Sequence, residues 1–147
     1  MEPKQIVILA HRTAAGPHLQ RLVRARLGEG QCRFTLIVPA QAPEGFVWTE
    51  REAGEETERV VSEALAIFRA FGAQIEGVVG DRRPLLALDD HLRHHDVDEI
   101  VVSTFPAGAS RWLRQDLPHR VERTYDVKVT HVVDERVPSD HSKRASA

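Results

Sequence analysis

The chain has 147 residues, 41% of them hydrophobic and 29% charged, which is typical of one soluble globular domain and excludes a disordered chain. Its net charge of -2 at pH 7, from 20 basic and 22 acidic residues, gives no electrostatic reason to expect binding to nucleic acid or to a membrane surface. The single cysteine, Cys32, excludes an internal disulfide and a cysteine-rich metal site. The apolar run at 6–10 is too short for a signal peptide or a membrane span, and we expect a cytoplasmic protein.

The first half of the sequence alternates strand and helix patterns. The apolar run Ile6–Ala10 predicts the first strand. A helix follows, with Pro17 in its first turn and Gly28 at its end. The run Phe34–Val38 predicts the second strand, and a loop rich in turn-forming residues covers 41–48.

The second and third helices begin at recognisable signals. Thr49 and Glu52 have the spacing of a capping box, in which each residue's side chain bonds the backbone of the other. The apolar stripe behind this box is closed by Gly72. Residues 73–79 predict the third strand, and Pro84 opens the third helix.

The last part of the sequence predicts two more strands with an interrupted helix between them. The continuous apolar run in 99–103 indicates a strand buried on both faces of a parallel sheet. Pro118 excludes one straight helix after it. We therefore expect a helical turn over 110–114 and a second helix with Asp116 as its N-cap. The last strand is predicted at 127–133.

This alternation predicts an α/β fold with an open parallel sheet and helices on both faces. Residues 1–133 form one predicted domain, and the polar stretch 134–147 predicts a disordered C-terminal tail. An exposed edge strand needs cover. We therefore expect a homodimer through the last strand, with an interface formed by Val127, Val129, His131 and Val133.

Three stretches resemble the universal stress protein family: VVGDRRPLLALDDHLRHHDVDEIVVST, ASRWLRQDLPHRV and VKVTHVV. The resemblance covers residues 5–133. It implies the five-stranded sheet of universal stress proteins and related adenine-nucleotide hydrolases, in the strand order 3-2-1-4-5. It also implies dimerisation through the last strand. One branch of the family binds ATP, and the other does not.

The chain departs from the ATP-binding branch at the motif G-x2-G-x9-G-[ST]. The family's aspartate after the first strand is replaced by Ala10 or His11. Phosphates bind where glycines let backbone N–H groups approach and where no carboxylate repels them. We therefore expect no cofactor and disfavour the usual ATP mode, while another ATP or AMP pose stays open. The four motif positions hold Val102, Phe105, Gln115 and Asp116.

The predicted function is binding in a stress response rather than catalysis. Ligands of parallel sheets bind outside the carboxyl ends of the strands. There, Ser110 and Arg111 are expected to hold an anion, while Val38 and Gly80 form apolar walls. The occupant is a small anionic ligand or a protein partner. The full candidate ligand site is His11, Arg12, Val38, Gly80, Thr104, Gly108, Ser110 and Arg111.

Two sharper alternatives use other side chains. His11, Asp81 and Thr104 would make an acid–base constellation, and the protein a hydrolase, if the fold brought them within hydrogen-bond reach. His91 and His95 share a helix face with i, i+4 spacing. No outlying ligand completes a metal site with them, and we expect none.

Overall fold

The structure, a computed structural model, describes residues 2–41 and 48–136. Strands and helices alternate along the described chain, except that two helices precede the last strand. Most of the predicted loop at 41–48, and the predicted tail from 137 onward, lie outside the described residues. The elements are β1 (Lys4–Leu9), α1 (Pro17–Glu29), β2 (Cys32–Pro39), α2 (Glu50–Ala70), β3 (Gln74–Gly80), α3 (Pro84–Leu92), β4 (Glu99–Thr104), α4 (Arg111–Arg114), α5 (Leu117–Thr124) and β5 (Lys128–Val133).

All strand pairs are parallel, and the strand order is β3-β2-β1-β4-β5, which confirms the predicted fold. β1 lies at the centre, where Ile8 pairs with Leu36 of β2 and with Val101 of β4. The chain reverses its direction of winding at β1 and β4. Such a switch point opens a crevice at the carboxyl edge of the sheet.

The two faces of the sheet carry separate cores. Helices α1 and α2 cover one face, where Phe34 and Phe68 are fully buried. Helices α3, α4 and α5 cover the other face, and Leu88 of α3 and Trp112 of α4 are buried against it. Burying one large apolar side chain stabilises the fold by about 1.5–3 kcal/mol. The continuous apolar runs in β1 and β4 follow directly from this double cover.

The helix-start signals act as predicted. Thr49 Oγ1 accepts from the backbone N–H of Glu52 at 3.0 Å, and Glu52 Oε1 accepts from the N–H of Thr49 at 2.8 Å, which completes the capping box. Proline occupies the first turn of α1, α3 and α5. β1 and β2 begin two residues before their predicted limits, because main-chain pairing continues into positions that the apolar runs do not mark. β2, β3 and β4 end one residue later than predicted, whereas β1 ends one residue earlier and β3 and β5 begin one residue later.

The folded part of the chain extends past β5 into the predicted tail. Asp134 is only 1% exposed, and its backbone N–H donates to the carbonyl of Thr104 at 2.8 Å. Its carboxylate accepts from the guanidinium of Arg136 at 2.6 Å. Asp134 therefore belongs to the packed domain, although its polarity had placed it in the tail.

Within the described ranges, no helix combines the length and apolarity needed to cross a bilayer. The longest helix, α2, has 21 residues but carries charged side chains along most of its length.

Candidate functional site

The carboxyl edge of the sheet brings the ends of the strands together. Residues after β1, β2, β3 and β4 meet there, as the parallel topology requires. Of the predicted site residues, Arg12 and Arg111 carry positive charges that act on the imidazole of His11. We call these three the edge cluster.

His11 follows β1 and is half-buried against α2. Its Nε2 lies 3.4 Å from Thr57 Oγ1, and that hydroxyl donates to the carbonyl of Ala53 at 2.7 Å. The pKa of His11 is lowered from 6.5 to about 4, chiefly by burial. The negative charge of Glu56 opposes this shift, and the positive charges of Arg12 and Arg111 add to it. His11 is therefore neutral at pH 7, with two guanidinium groups close enough to affect it.

Arg12 is exposed and lies beside the aromatic ring that follows β4. Its Cζ is 5.9 Å from the centre of the Phe105 ring, at the outer limit of a cation–π contact. Burial lowers the pKa of Arg12, and the negative charge of Glu56 raises it. An arginine side chain stays positive at pH 7, so Arg12 places a positive charge beside Phe105.

The end of β4 and the loop that leads to α4 hold three of the predicted site residues. Thr104 is buried, with its Oγ1 2.9 Å from Nε2 of His131 on β5. Ser110 Oγ accepts from the N–H of Leu113 at 3.1 Å and so caps α4. Gly108 has a φ of 91°, a left-handed conformation that favours glycine. These residues shape the loop, and the hydroxyl groups of Thr104 and Ser110 have protein partners.

The two predicted apolar walls have different positions. Val38 is fully buried in the core under α1 and α2, and it presents no surface to a ligand. The expectation that it walls the site is wrong for that reason. Gly80 lies at the end of β3 and lines a groove that also contains Arg111. A methyl group on Gly80 would lie 2.7 Å from Cβ of Ala87, so only glycine lets α3 approach there.

The groove runs from the carboxyl edge between α3 and α5, with a volume of about 1390 Å³. Its upper end is formed by the ends of β2 and β3 and by the start of α2. Trp112 closes one side of this region from within the core, and its Nε1 donates to Gln41 Oε1 at 3.0 Å. That bond ties α4 to the end of β2.

A second polar group, which we call the buried polar cluster, was not predicted. Ser103 Oγ lies 2.6 Å from Thr13 Oγ1 and 2.7 Å from His18 Nε2. His18 Nδ1 lies 3.9 Å from Asp134 Oδ2 and has no hydrogen-bond partner among the described residues. Burial lowers the pKa of His18, and the nearby carboxylate of Asp134 opposes this.

Glycine at position 16 makes the buried polar cluster possible. A Cβ on Gly16 would lie 2.6 Å from the His18 ring and 2.8 Å from Asp134 Oδ2. Ser103, His18 and Asp134 have the order of a hydrolase triad, but Ser103 and Asp134 are each 1% exposed. A hydroxyl group so deeply buried is not accessible to a substrate. The contacts of the buried polar cluster connect α1, β4 and the end of β5.

The predicted acid–base constellation is not assembled. His11 contacts Thr57 and Thr104 contacts His131. Asp81 accepts from the backbone and the guanidinium of Arg83 at 2.8 and 3.0 Å. Each of the three candidate residues is therefore directed to a different neighbour.

The four motif positions of the ATP-binding branch differ in structure as well as in sequence. Val102 lies inside β4, where its backbone is part of the sheet ladder. Asp116 is the N-cap of α5 with a φ of 57°, but its side chain makes no capping bond. It accepts instead from His119 Nδ1 at 2.9 Å. The predicted N-cap position is confirmed, although the Asp116 side chain makes no capping bond to α5.

The histidines of α3 and its C-terminal end stack rather than converge on an ion. The rings of His91 and His95 have centroids 4.2 Å apart and are nearly parallel. Across residues 2–41 and 48–136, no group of three or more potential ligands is arranged to hold a metal ion.

Comparisons with known proteins support the fold by shape. No protein-family model matches the sequence. No curated protein matches it either. Among solved structures, the universal stress protein of Archaeoglobus fulgidus in complex with dAMP has a TM-score of 0.58 at 17% identity, over 88% of this chain and 97% of that one.

Two further solved structures are similar. A second structure of the Archaeoglobus fulgidus protein matches with a TM-score of 0.58 at 17% identity, over 87% of this chain and 92% of that one. A universal stress protein in complex with cAMP matches with a TM-score of 0.52 at 17% identity, over 90% of this chain and 98% of that one. The chain therefore has the fold of universal stress proteins.

Proposed function

We propose that this chain is a universal stress protein that acts by binding a small anionic ligand, with a mononucleotide as the first candidate. The observation that carries the proposal is the edge cluster. Arg12 follows β1 and lies beside the Phe105 ring that follows β4. Arg111 begins α4 and lines the groove together with Gly80 at the end of β3. Two guanidinium groups at the carboxyl edge of a parallel sheet suit a phosphate or a carboxylate.

The solved neighbours favour a nucleotide among the possible anions, because two of them contain dAMP and cAMP. The motif departures favour a pose different from the usual ATP mode. Three glycine positions of the motif carry side chains, and Asp116 places a carboxylate at the start of α5. In the proposed pose the phosphate bonds the guanidinium groups of Arg12 and Arg111 rather than a glycine-rich backbone.

The proposal includes no chemical step. The hydroxyl groups nearest the edge are engaged, and the buried polar cluster excludes substrate. We also propose a cytoplasmic homodimer that pairs through β5, whose half-exposed valines leave an edge strand to be covered.

A thermal-shift titration with AMP, dAMP, cyclic AMP, ATP with Mg²⁺ and inorganic phosphate tests the ligand. A site-specific ligand at 100 times its dissociation constant stabilises the protein by about 2.7 kcal/mol, or roughly 9 °C for a domain of this size. We expect a shift of this order with at least one mononucleotide, and its loss in Arg111→Ala.

Arg33→Ala is the matched control, because this exposed arginine lies on β2 near the opposite edge of the sheet. It should leave the shift unchanged. Absence of a shift with every compound, or an equal shift in Arg111→Ala, would contradict the proposed site.

A further inference from the structure

The groove between α3 and α5 is larger than one nucleotide needs. Its volume of about 1390 Å³ exceeds the roughly 300–1,000 Å³ of common small-ligand pockets. It begins beside Arg111 of the edge cluster and continues along α5 as far as Tyr125. The eight residues of α5 make this extension about 12 Å long.

The walls of the groove carry surplus positive charge. Arg82 precedes α3, and Arg120 lies on α5; both are exposed. Within the described parts of the chain, neither forms an ion pair within 4.0 Å. These two guanidinium groups are therefore available to an anionic ligand.

The acidic side chains of the groove are mostly neutralised by their neighbours. Asp81 is paired with Arg83 at 3.0 Å. Asp89 accepts from Arg93 at 2.9 Å and from the hydroxyl of Tyr125 at 3.2 Å. The remaining acid, Glu50, lies in the first turn of α2, where the helix dipole stabilises it.

An aromatic ring lies at each end of the groove. Trp48 lies at the carboxyl-edge end, next to the start of α2, and is half-buried. Tyr125 follows α5 at the far end, and it is also half-buried. The lining therefore combines two aromatic rings with the guanidinium groups of Arg82 and Arg120. That combination suits two flat bases joined by phosphates, since bases stack on aromatic rings and phosphates bond arginine.

We propose that the groove extends the nucleotide site and that the ligand class is a dinucleotide with a polyphosphate bridge. This inference rests on the proposed function, because the first nucleotide occupies the edge cluster. The bridge runs past Arg120 and Arg82, and the second base lies towards Tyr125. The proposal is for binding and involves no covalent step.

Calorimetric titration of the full chain with AMP, ATP and diadenosine tetraphosphate tests this inference. We expect diadenosine tetraphosphate to bind at least about tenfold more tightly than either mononucleotide, as one added charged hydrogen bond allows. Arg120→Ala and Arg82→Ala should each remove about tenfold of that affinity and change AMP binding by less than about twofold.

Arg123→Ala is the control, because Arg123 lies on the same helix but outside the groove lining. Melting temperatures of the variants confirm that each is folded. If AMP binds and diadenosine tetraphosphate binds no more tightly than ATP, the dinucleotide proposal is overturned and the proposed function stands. If Arg120→Ala and Arg82→Ala bind diadenosine tetraphosphate as tightly as the unaltered protein does, the proposal that this ligand occupies the groove is also overturned. If no nucleotide binds, both proposals fail.

Discussion

His11 is the residue whose protonation the fold changes most clearly. Burial and two neighbouring guanidinium groups lower its pKa to about 4, so the folded protein resists its protonation. In the unfolded chain the same imidazole titrates near 6.5. Between these two values the unfolded state binds a proton that the folded state does not, and the free energy of unfolding must fall as the pH falls.

We therefore predict a loss of stability on acidification from pH 6.5 to about pH 4, with a contribution from His11 of at most about 1.4 kcal/mol per pH unit. Urea unfolding at pH 7.0, 5.5 and 4.5 measures it. His11→Gln should flatten part of this slope, because glutamine does not titrate. His119→Gln is the control, since that histidine is exposed on α5. If the free energy of unfolding depends on pH equally in His11→Gln and in the unaltered protein, protonation of His11 does not destabilise the fold.

Asp116 shows at the same scale how a motif substitution is accommodated. Its left-handed backbone, with a φ of 57°, is a conformation in which glycine is favoured and aspartate is tolerated better than most residues. A carboxylate therefore stands at the position where the motif has serine or threonine. The side chain is held by His119 and, at 3.7 Å, by Arg123.

At the scale of elements, α1 is fastened to the sheet at both ends by buried polar contacts. Its first turn carries His18 of the buried polar cluster. Its last turn carries Arg26, which donates to both oxygens of Glu99 at 2.9 and 2.8 Å, and Thr130 of β5 adds a bond of 2.6 Å. Burial raises the pKa of Glu99, but the bonds to Arg26 and Thr130 outweigh it and the pKa is lowered.

We predict that Arg26→Met destabilises the protein by about 3–5 kcal/mol, because it leaves the carboxylate of Glu99 buried without its cation. Chemical denaturation at pH 7 measures the loss. The double variant Arg26→Met/Glu99→Leu should recover most of it, since the uncompensated charge is then absent. A loss in the double variant as large as in the single one would show that packing, not charge, is what Arg26 provides.

These contacts mark the boundary of what the sequence predicts. The elements, their order along the chain and the capping box were predicted, because each depends on residues close together in sequence. Ser103 and His18 are 85 residues apart, and Arg26 and Glu99 are 73 apart, so their pairing depends on the assembled sheet. A histidine within the apolar pattern of α1, and a serine ending the apolar run of β4, were the available signals. The burial of Val38 likewise depends on how α1 and α2 pack on the sheet, which the local sequence does not show.

At the scale of the whole molecule, the sheet has two edges of different character. At one edge, β3 exposes Val78 and Val79 at 37% and 41%. At the other, β5 presents half-exposed valines together with Lys128 and His131. Only the β5 edge is predicted to pair with a second copy of the chain. Both edges must nevertheless be protected against pairing with strands of other molecules.

We predict a solution mass of two chains of 16.5 kDa each, measured by light scattering at micromolar concentration. Val133→Lys should shift the mass towards one chain, because a charge is then placed where the two β5 strands meet. Val78→Lys on β3 is the matched control and should leave the dimer intact. Two results would rule out the β5 interface. One is a single-chain mass for the unaltered protein, and the other is a two-chain mass that persists in Val133→Lys.

The central position of β1 has a consequence for synthesis on the ribosome. β1 is made first, yet one of its two neighbours, β4, begins only at Glu99. After β2 is complete at Pro39, about 60 more residues must be added, which takes roughly 3–12 s at 5–20 residues per second. Throughout that interval the β4-facing edge of β1, which lies at the centre of the finished sheet, has no native partner. The nascent chain can therefore mispair along a strand that both neighbours cover in the finished protein.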